Sequence, residues 1–402
     1  MHAPTADGVT LPDLDAFRAE VRAFLAPRYP VRNPQADDER DDTIGRVPDG
    51  HQAAVDAARE LQQALASVGL SGMHIAVDYG GRGLPRDYQQ VVDEELRRLD
   101  APSLRPLGIG MHLAASTLLA SGSEVQKRRY LPPLVRAEEQ WCQLFSEPDA
   151  GSDLVSLRTR AVRDGDEWVI DGQKVWSSYA SDAHFGLLLA RTDPHVKPQV
   201  GITMFILPMD APGVSVRPLV DIAGGRHFNE VFLQEVRLGD DMVLGEVNAG
   251  WGVSQGTLGG ERSGYMGGSG KGRRHRQLLR AAERAGMRDD PVMRQRMART
   301  ISEERILEWV RDRFVAGTLA GGHPAAGSMM KLAAGTLEQQ VAELVADLSG
   351  PGGMAWEPGD RDGDIVSHNV NASRQATIAG GTHQIQRNLL GERVLGLPRE
   401  PK

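Results

Sequence analysis

The feature that most constrains this 402-residue chain is a change of hydrophobic period, made twice. From Leu11 to about Arg136, apolar residues recur every three or four positions: Leu14, Phe17, Val21, Phe24 and Leu25 first, then Leu61, Leu65 and Val68, with Gly69 placed to end the run. That spacing lines one face of a helix, so the stretch reads as amphipathic helices. The loop YGGRGLPRD at 79–87 interrupts them before DYQQVVDEELRRLD and MHLAASTLLASG resume the pattern. Between about Trp141 and Leu244 the runs become short and alternating, rich in Val, Trp, Phe and Ile, with Asp164-Gly165 and Asp171-Gly172 as hairpin signals. From Trp251 the helical period returns, through MRQRMARTISEERILEWVRDRFVAG and MMKLAAGTLEQQVAELVADLSG to QIQRNLLGERVLG. The expected class is α+β, with a helical domain at 1–138, a β domain at 139–244 and a second helical domain at 245–402.

Composition removes several functions. Forty-six basic against 54 acidic residues leave a net charge of −8, which supplies no field toward phosphate backbones, so no nucleic-acid partner is expected. One cysteine, Cys142, excludes an intrachain disulfide and a thiolate-held zinc or iron–sulfur cluster, and it fits a reducing, cytoplasmic compartment. The histidines lack metal-ligand spacing, and no metal is expected. The opening MHAPTADGVTLPDLD has neither a basic nor an apolar leader segment, so export is not expected. The longest apolar runs, GLLLA at 186–190 and ITMFILP within 201–208, fall well short of the roughly 20 residues of a membrane span. Forty-six glycines are an excess that asks for an explanation.

Three polar clusters carry the chemistry. SEPDAGSD at 146–153 could offer backbone N–H groups and the Ser146 and Ser152 hydroxyls to an anion or a ring edge, or be an ordinary Asx-type turn. GGTHQIQR at 380–387 opens the last helical run, where Thr382 could cap the helix and the glycines bring backbone amides to a phosphate or carbonyl oxygen. GGERSGYMGGSGKGRR at 259–274 is no P-loop, because Lys271 is followed by Gly272 and position 265 is Tyr. Within it Glu261 stands among glycines near Leu258 and Tyr265, a setting in which burial could raise its pKa toward that of a useful base, or it is a solvated helix residue. No Gly-x-Gly-x-x-Gly turn between strand and helix supports a nicotinamide site.

Taken in order, these motifs resemble one family, the FAD-dependent acyl-CoA dehydrogenases. The resemblance lies in WCQLFSEPDAGSDLVSLRTRAV at 141–162, GQKVWSS at 172–178 and GGTHQIQRNLLGERVLGLPRE at 380–400, and it extends from FRAEVRAFL at 17–25 through YGGRG at 79–83. It implies an N-terminal helical domain, a middle β-barrel-like domain and a C-terminal four-helix bundle, assembled as a dimer or tetramer with FAD at an interface. Carried over residue by residue, Ser146 and Ser178 take the places of hydroxyls on the flavin ring, and Phe145 and Trp176 lie beside it. Ser152 takes the place of the Ser on the pyrophosphate. Thr382 and Gln384 match residues near the adenosine, and Gly350 the glycine loop approached from the adjoining subunit.

Many members place the catalytic Glu where Gly380 stands here. The branch typified by isovaleryl-CoA dehydrogenase supplies it from the first long C-terminal helix, followed by Arg, which LGGERSGYM at 258–266 matches. The resemblance therefore implies Glu261 as the base that removes the α-proton of an acyl thioester, Arg262 as a substrate-holding or structural neighbour, and hydride transfer to flavin N5. The backbone N–H of Gly380 would polarise the carbonyl, and the missing side chain there leaves room for a branched, cyclic or bulky acyl group. An electron-transfer flavoprotein is the expected acceptor. Local basic residues, Arg262 or the run Lys271–Arg274, are expected to offset the acidic surface toward the CoA anion.

The chain also departs from the pattern. ERAGMRDDPVMRQR at 283–296 replaces the family's FAD-embracing stretch, Asp347 stands where Gln is common, and His74 and His383 occupy unusual positions. The alternatives are a flavin oxidase, a dehydrogenase of carrier-protein thioesters, or a non-catalytic subunit completing a partner's site in a heterotetramer.

Overall fold

The computed structural model of the chain describes residues 11–32, 51–267, 272–315, 326–355, 357 and 360–399; of these, 259–267, 315, 326, 361 and 362 are described by backbone alone. The described residues divide into two compact units, one of 11–32, 51–219 and 227–257, the other of Val220–Arg226 and everything from 258 onward.

The first unit opens with helices. α1 (Leu14–Leu25) starts at Asp13, whose carboxylate accepts the Asp15 and Ala16 N–H groups. α2 (His51–Ser67) and α3 (Arg86–Arg97) pack with it around Phe17, Val21, Leu25, Leu61, Leu65, Tyr88 and Val92. Each such buried side chain contributes about 1.5–3 kcal/mol against about 1 kcal/mol for a cap, so the apolar stripe decides where α1 sits. α2 stops at Ser67 and Gly69 turns the chain with φ +68°, which leaves Val68 outside the helix and 44% exposed, unlike Leu61 and Leu65 of the same pattern. A π-helical turn, Ile109–Ala114, leads into α4 (Ala115–Ser121), and a Ser123/Gln126 capping box opens α5 (Glu124–Val135).

Seven strands follow: β1 (Trp141–Leu144), β2 (Arg160–Asp164), β3 (Glu167–Lys174), β4 (Phe185–Arg191), β5 (Ile202–Pro208), β6 (Val214–Leu219) and β7 (Phe228–Gly239). They lie in the order β1-β4-β2-β3-β7-β6, with β5 also paired to β4. The two apolar runs of the sequence are β4 and β5, antiparallel from Phe185↔Pro208 to Arg191↔Ile202. Both are buried along their length, hence continuously apolar rather than alternating. Asp164-Gly165 does close the β2–β3 hairpin, with Asp164 opposite Glu167. Asp171-Gly172 does not make a turn. It sits inside β3 at a register shift against β7, where Asp171 accepts the Glu235 N–H at 2.9 Å and a Cβ on Gly172 would stand 2.3 Å from Thr159 Oγ1. The glycine there serves close approach within a bulged strand.

The helical remainder comprises α6 (Gly250–Gly267), α7 (Arg273–Arg284), α8 (Pro291–Val315), α9 (Ala326–Ser349), α10 (Arg361–Ser373) and α11 (His383–Arg393). α7 to α10 share a core of Leu278, Ala282, Met297, Leu337, Val341, Leu344, Val345 and Val366. Arg273 and Arg274, expected to face the CoA anion, are spent inside this bundle. Each bonds Glu338 of α9 at 2.7 Å, while Glu304 accepts the Arg274 and His275 N–H groups and Glu308 that of Gly272, so carboxylates cover the positive end of α7. Lys271 lies outside the described residues.

Burial alone would raise the Glu338 carboxyl, but the two guanidiniums overcome it and bring the pKa down to about 2. A carboxyl that is more acidic folded than unfolded contributes stability above its ordinary pKa and loses it as pH falls. We therefore expect on the order of 3 kcal/mol to disappear between about pH 4.5 and 2. Urea melts of the wild type and Glu338→Gln across that range test this. The variant should lack this part of the acid loss, and an unchanged slope would refute the assignment.

Candidate flavin and thioester site

In the first unit β1 delivers Phe145, buried, and Ser146, half-buried, just past its last residue. The Ser146 carbonyl accepts the Val175 N–H at 2.9 Å, which lays this segment against the residues that follow β3. Lys174, wholly buried at the end of β3, donates to the Phe145 carbonyl at 3.1 Å and to Glu147 Oε1 at 2.8 Å. Glu147 also accepts the backbone N–H groups of Arg158 and Thr159 at 2.6 and 2.9 Å. Burial lowers the Lys174 pKa to about 8 despite the carboxylate beside it. Burial works to raise that of Glu147, and the ammonium with the N–H donors reverses it. The turn itself is closed by reciprocal bonds between Glu147 and Ala150, and Ser152 emerges from it exposed.

Trp176 has φ +60° and Tyr179 φ +55°, conformations that cost a residue with a Cβ about 1–2 kcal/mol each. Hydrogen bonds hold the turn there: Ser177 N–H to the Asn229 carbonyl (3.1 Å), Tyr179 N–H to the His227 carbonyl (2.7 Å), and Asn229 Nδ2 to the Ser177 carbonyl (3.0 Å). Trp176 meets Phe228 edge-on and remains 58% exposed, while Ser178 is half-buried. Ser177 Oγ and Asn229 Oδ1 are buried with no hydrogen-bond partner among the described residues. An indole offered to solvent on a strained, tightly tied turn, with hydroxyls on it and on the adjoining segment, suits a planar ring that has a polar edge.

In the second unit Gly380 and Gly381 take left-handed φ of +67° and +94°, and Thr382 caps α11 by accepting the Ile385 N–H. Gln386, wholly buried, donates Nε2 to the Gly380 carbonyl at 2.9 Å and to that of Gly381 at 3.3 Å, taking up the carbonyl side of the turn. Gln384 is exposed. His383 is buried against Gly335 of α9, where a Cβ would come within 2.7 Å of its Nε2, and burial, with the charges of Lys331 and Arg387, lowers its pKa. Lys331 is itself buried and donates to the Ala376 carbonyl at 3.0 Å. Gly350 ends α9 with φ +58° and open space at its Cα. Asp347 pairs with Arg296 of α8 at 2.5 Å. His74, in the first unit, is half-buried, and burial, Arg86 and His112 lower its pKa. Glu261 and Arg262 lie on α6, where only the backbone is described, so the settings of their side chains fall outside the described residues.

The expected residues fall in both units: Phe145, Ser146, Ser152, Trp176 and Ser178 in the first, and Glu261, Arg262, Gly350, Gly380, Thr382 and Gln384 in the second. Sequence reasoning passed over Asn229, Gln386 and the Lys174–Glu147 pair. Lys174 and Glu147 stood inside quoted motifs, and their signal was a pair of opposite charges in segments otherwise turning inward. Among the described residues no helix is long and apolar enough to cross a membrane.

Comparison with known proteins identifies the family. Residues 12–138, 142–236 and 248–395 match the profiles described as the N-terminal, middle and C-terminal domains of acyl-CoA dehydrogenase. Acyl-CoA dehydrogenase IpdE1 of Mycobacterium tuberculosis is 36% identical over 403 residues, covering 97% of this chain and 99% of that protein. Among solved structures, the Tcur3481-Tcur3483 steroid ACAD G363A variant superposes with a TM-score of 0.78 at 29% identity, over 96% of this chain and 99% of the other. A glutaryl-CoA dehydrogenase from Mycobacterium smegmatis, solved in complex with FADH2, shares the fold at 22% identity, with a TM-score of 0.72 over 97% of this chain and 96% of that one. Matched in three domains in order and to a full-length relative from end to end, the chain belongs to the acyl-CoA dehydrogenase family.

Proposed function

We propose that the protein is an oxidoreductase that removes hydrogen across the α and β carbons of an acyl-CoA bearing a bulky, branched or ring-containing acyl group, giving the trans-2-enoyl thioester. The observation that carries this reading is the end-to-end identity with IpdE1. The likeness to a steroid ACAD and the absence of a side chain at Gly380 support the bulky acyl group.

The cofactor in this reading is FAD, which when bound supplies the oxidising chemistry by accepting a hydride. Phe145, Ser146, Trp176 and Ser178 would hold its ring, Ser152 its pyrophosphate, and Gly350, Thr382 and Gln384 its adenosine side. Glu261 takes the α-proton. An α-proton beside a thioester is too weakly acidic for a carboxylate in water, so the carbonyl oxygen must be polarised as the proton leaves. The Gly380 N–H serves as donor. It belongs to a turn that Gln386 fixes by its carbonyls, so the amide is oriented before substrate arrives. Arg262 steadies the substrate beside the base.

An electron-transfer flavoprotein takes the electrons onward. The working assembly is a dimer, tetramer or heterotetramer, which mass measurement distinguishes. A reducing, cytoplasmic setting fits the single, buried thiol of Cys142, whose pKa burial pushes up.

Purification followed by anaerobic titration tests the reading. The protein should be yellow or take up added FAD, and branched or ring-bearing acyl-CoA esters should bleach the flavin faster than straight-chain ones. A colourless protein that takes up no FAD would favour the non-catalytic subunit. Bleaching by carrier-bound esters alone would move the substrate class.

A further inference from the structure

Hydrogen bonds to His227 and to Asn229 of β7 tie the backbone of the strained turn at 176–179. Five rings in contact pack around it. His51, the first residue of α2, stacks on Tyr179 with centroids 5.5 Å apart and planes 19° apart. Tyr179 leans on His227 at 5.9 Å, His227 lies against Phe228 at 4.0 Å, and Phe228 meets Trp176 at 5.5 Å and 87°. At the outer end His51 Nε2 is 2.8 Å from Asp182 Oδ2. Asp182 also accepts the Ser181 hydroxyl, and its N–H donates to the Tyr179 carbonyl at 3.1 Å. The Asp182 side chain is only 8% exposed, so the bond to His51 is sheltered. All these residues belong to the first unit.

We propose that His51 and Asp182 are positioning residues which, by clamping Tyr179 from the side of α2, hold the left-handed turn 176–179 in the conformation that presents Trp176 and Ser178 to the cofactor. Residues with a Cβ disfavour the left-handed region, and two such positions three residues apart persist only where the surroundings over-determine them. Tyr179 is the second of the two, buried between His51 and His227, and its ring cannot leave that slot without breaking the stack. Removing His51 opens one side of the slot, and the turn then spreads over other conformers. A ligand that needs one conformer binds more weakly by the fraction of time that conformer is lost. The role in cofactor binding rests on the proposed function; the clamp on the turn does not.

Amide hydrogen exchange of the full-length protein without added flavin reads the clamp directly. In His51→Ala, exchange in peptides covering 175–182 should rise roughly tenfold, while the β2–β3 hairpin at 160–174 keeps its protection. His51→Phe, which keeps the ring and loses the bond to Asp182, and His51→Gln, which keeps a donor and loses the ring, should fall between. The dissociation constant for FAD, from fluorescence titration, should weaken in the same order and by up to roughly tenfold. Unchanged exchange at 175–182 in His51→Ala would overturn the proposal. Should His51→Ala unfold the hairpin as well, His51→Phe decides: protection at 175–182 equal to wild type would count against the clamp. A wild type that binds no flavin would overturn the functional reading, and the exchange result would still judge the clamp.

Discussion

Replacing Glu261 with Gln is expected to slow substrate-dependent bleaching of the flavin by about 10²–10⁴-fold, with the amount of bound flavin and its oxidised spectrum unchanged. The carboxamide keeps the size and shape of the carboxylate and cannot take a proton, so the loss isolates proton transfer from packing. Glu261→Asp, which keeps the base and withdraws it by one methylene, should recover part of the rate. Stopped-flow mixing without oxygen, with the best acyl-CoA of the panel, makes the measurement. Bleaching by Glu261→Gln at the wild-type rate would place the base elsewhere in the chain. A variant that lost its flavin instead would show that Glu261 holds cofactor, the opposite of its assigned work.

The position of Glu261 also shows where the sequence was legible and where it was not. α6 carries seven glycines in 18 residues, each costing about 1 kcal/mol in a helix interior relative to Ala, so propensity argues against a helix there. It forms nonetheless, and its first half is tied to α4 by the bond between the Thr117 and Thr257 hydroxyls at 2.8 Å. Tertiary contact overrides local preference. The order of helical and β stretches was readable because each depends on a period repeated over many residues. The second Asp-Gly pair was not, because two residues look the same whether they close a hairpin or let β3 pass Thr159. Nor could the basic run at 271–274 be told from an anion site, since only the fold brings Glu304, Glu308 and Glu338 to it. Along α11 the motif pointed to Gln384, while the turn of the helix buries Gln386 and exposes Gln384. Spacing of two residues on a helix separates faces by about 200°, and which face turns inward is settled by the bundle.

The Lys174–Glu147 pair should show the largest effect on stability. Lys174 is wholly buried and Glu147 nearly so, and their bond lies under the segment that carries Phe145 and Ser146. Removing one partner leaves the other charge without compensation, which in buried pairs costs about 3–5 kcal/mol. Glu147→Gln is expected in that range near pH 6.5, because the ammonium then keeps only the Phe145 carbonyl and a neutral amide. Lys174→Met should cost less, since Glu147 retains the N–H groups of Arg158 and Thr159. The double variant should be more stable than the sum of the two losses predicts, the mark of a coupled pair. The pH dependence has a definite sign. With a folded pKa of about 8 against an ordinary 10.5, Lys174 binds its proton more tightly when unfolded, so this residue's contribution to stability rises as pH goes from about 8 to 10.5. Without Glu147 the folded pKa falls further, the buried amine sheds its proton at lower pH, and the deficit of Glu147→Gln should shrink between pH 6.5 and 9.5. Urea unfolding followed by tryptophan fluorescence at those two pH values checks both points. A Glu147→Gln midpoint equal to wild type at pH 6.5, or a deficit that grows with pH, would mean that the pair is not what holds the 145–146 segment against Val175.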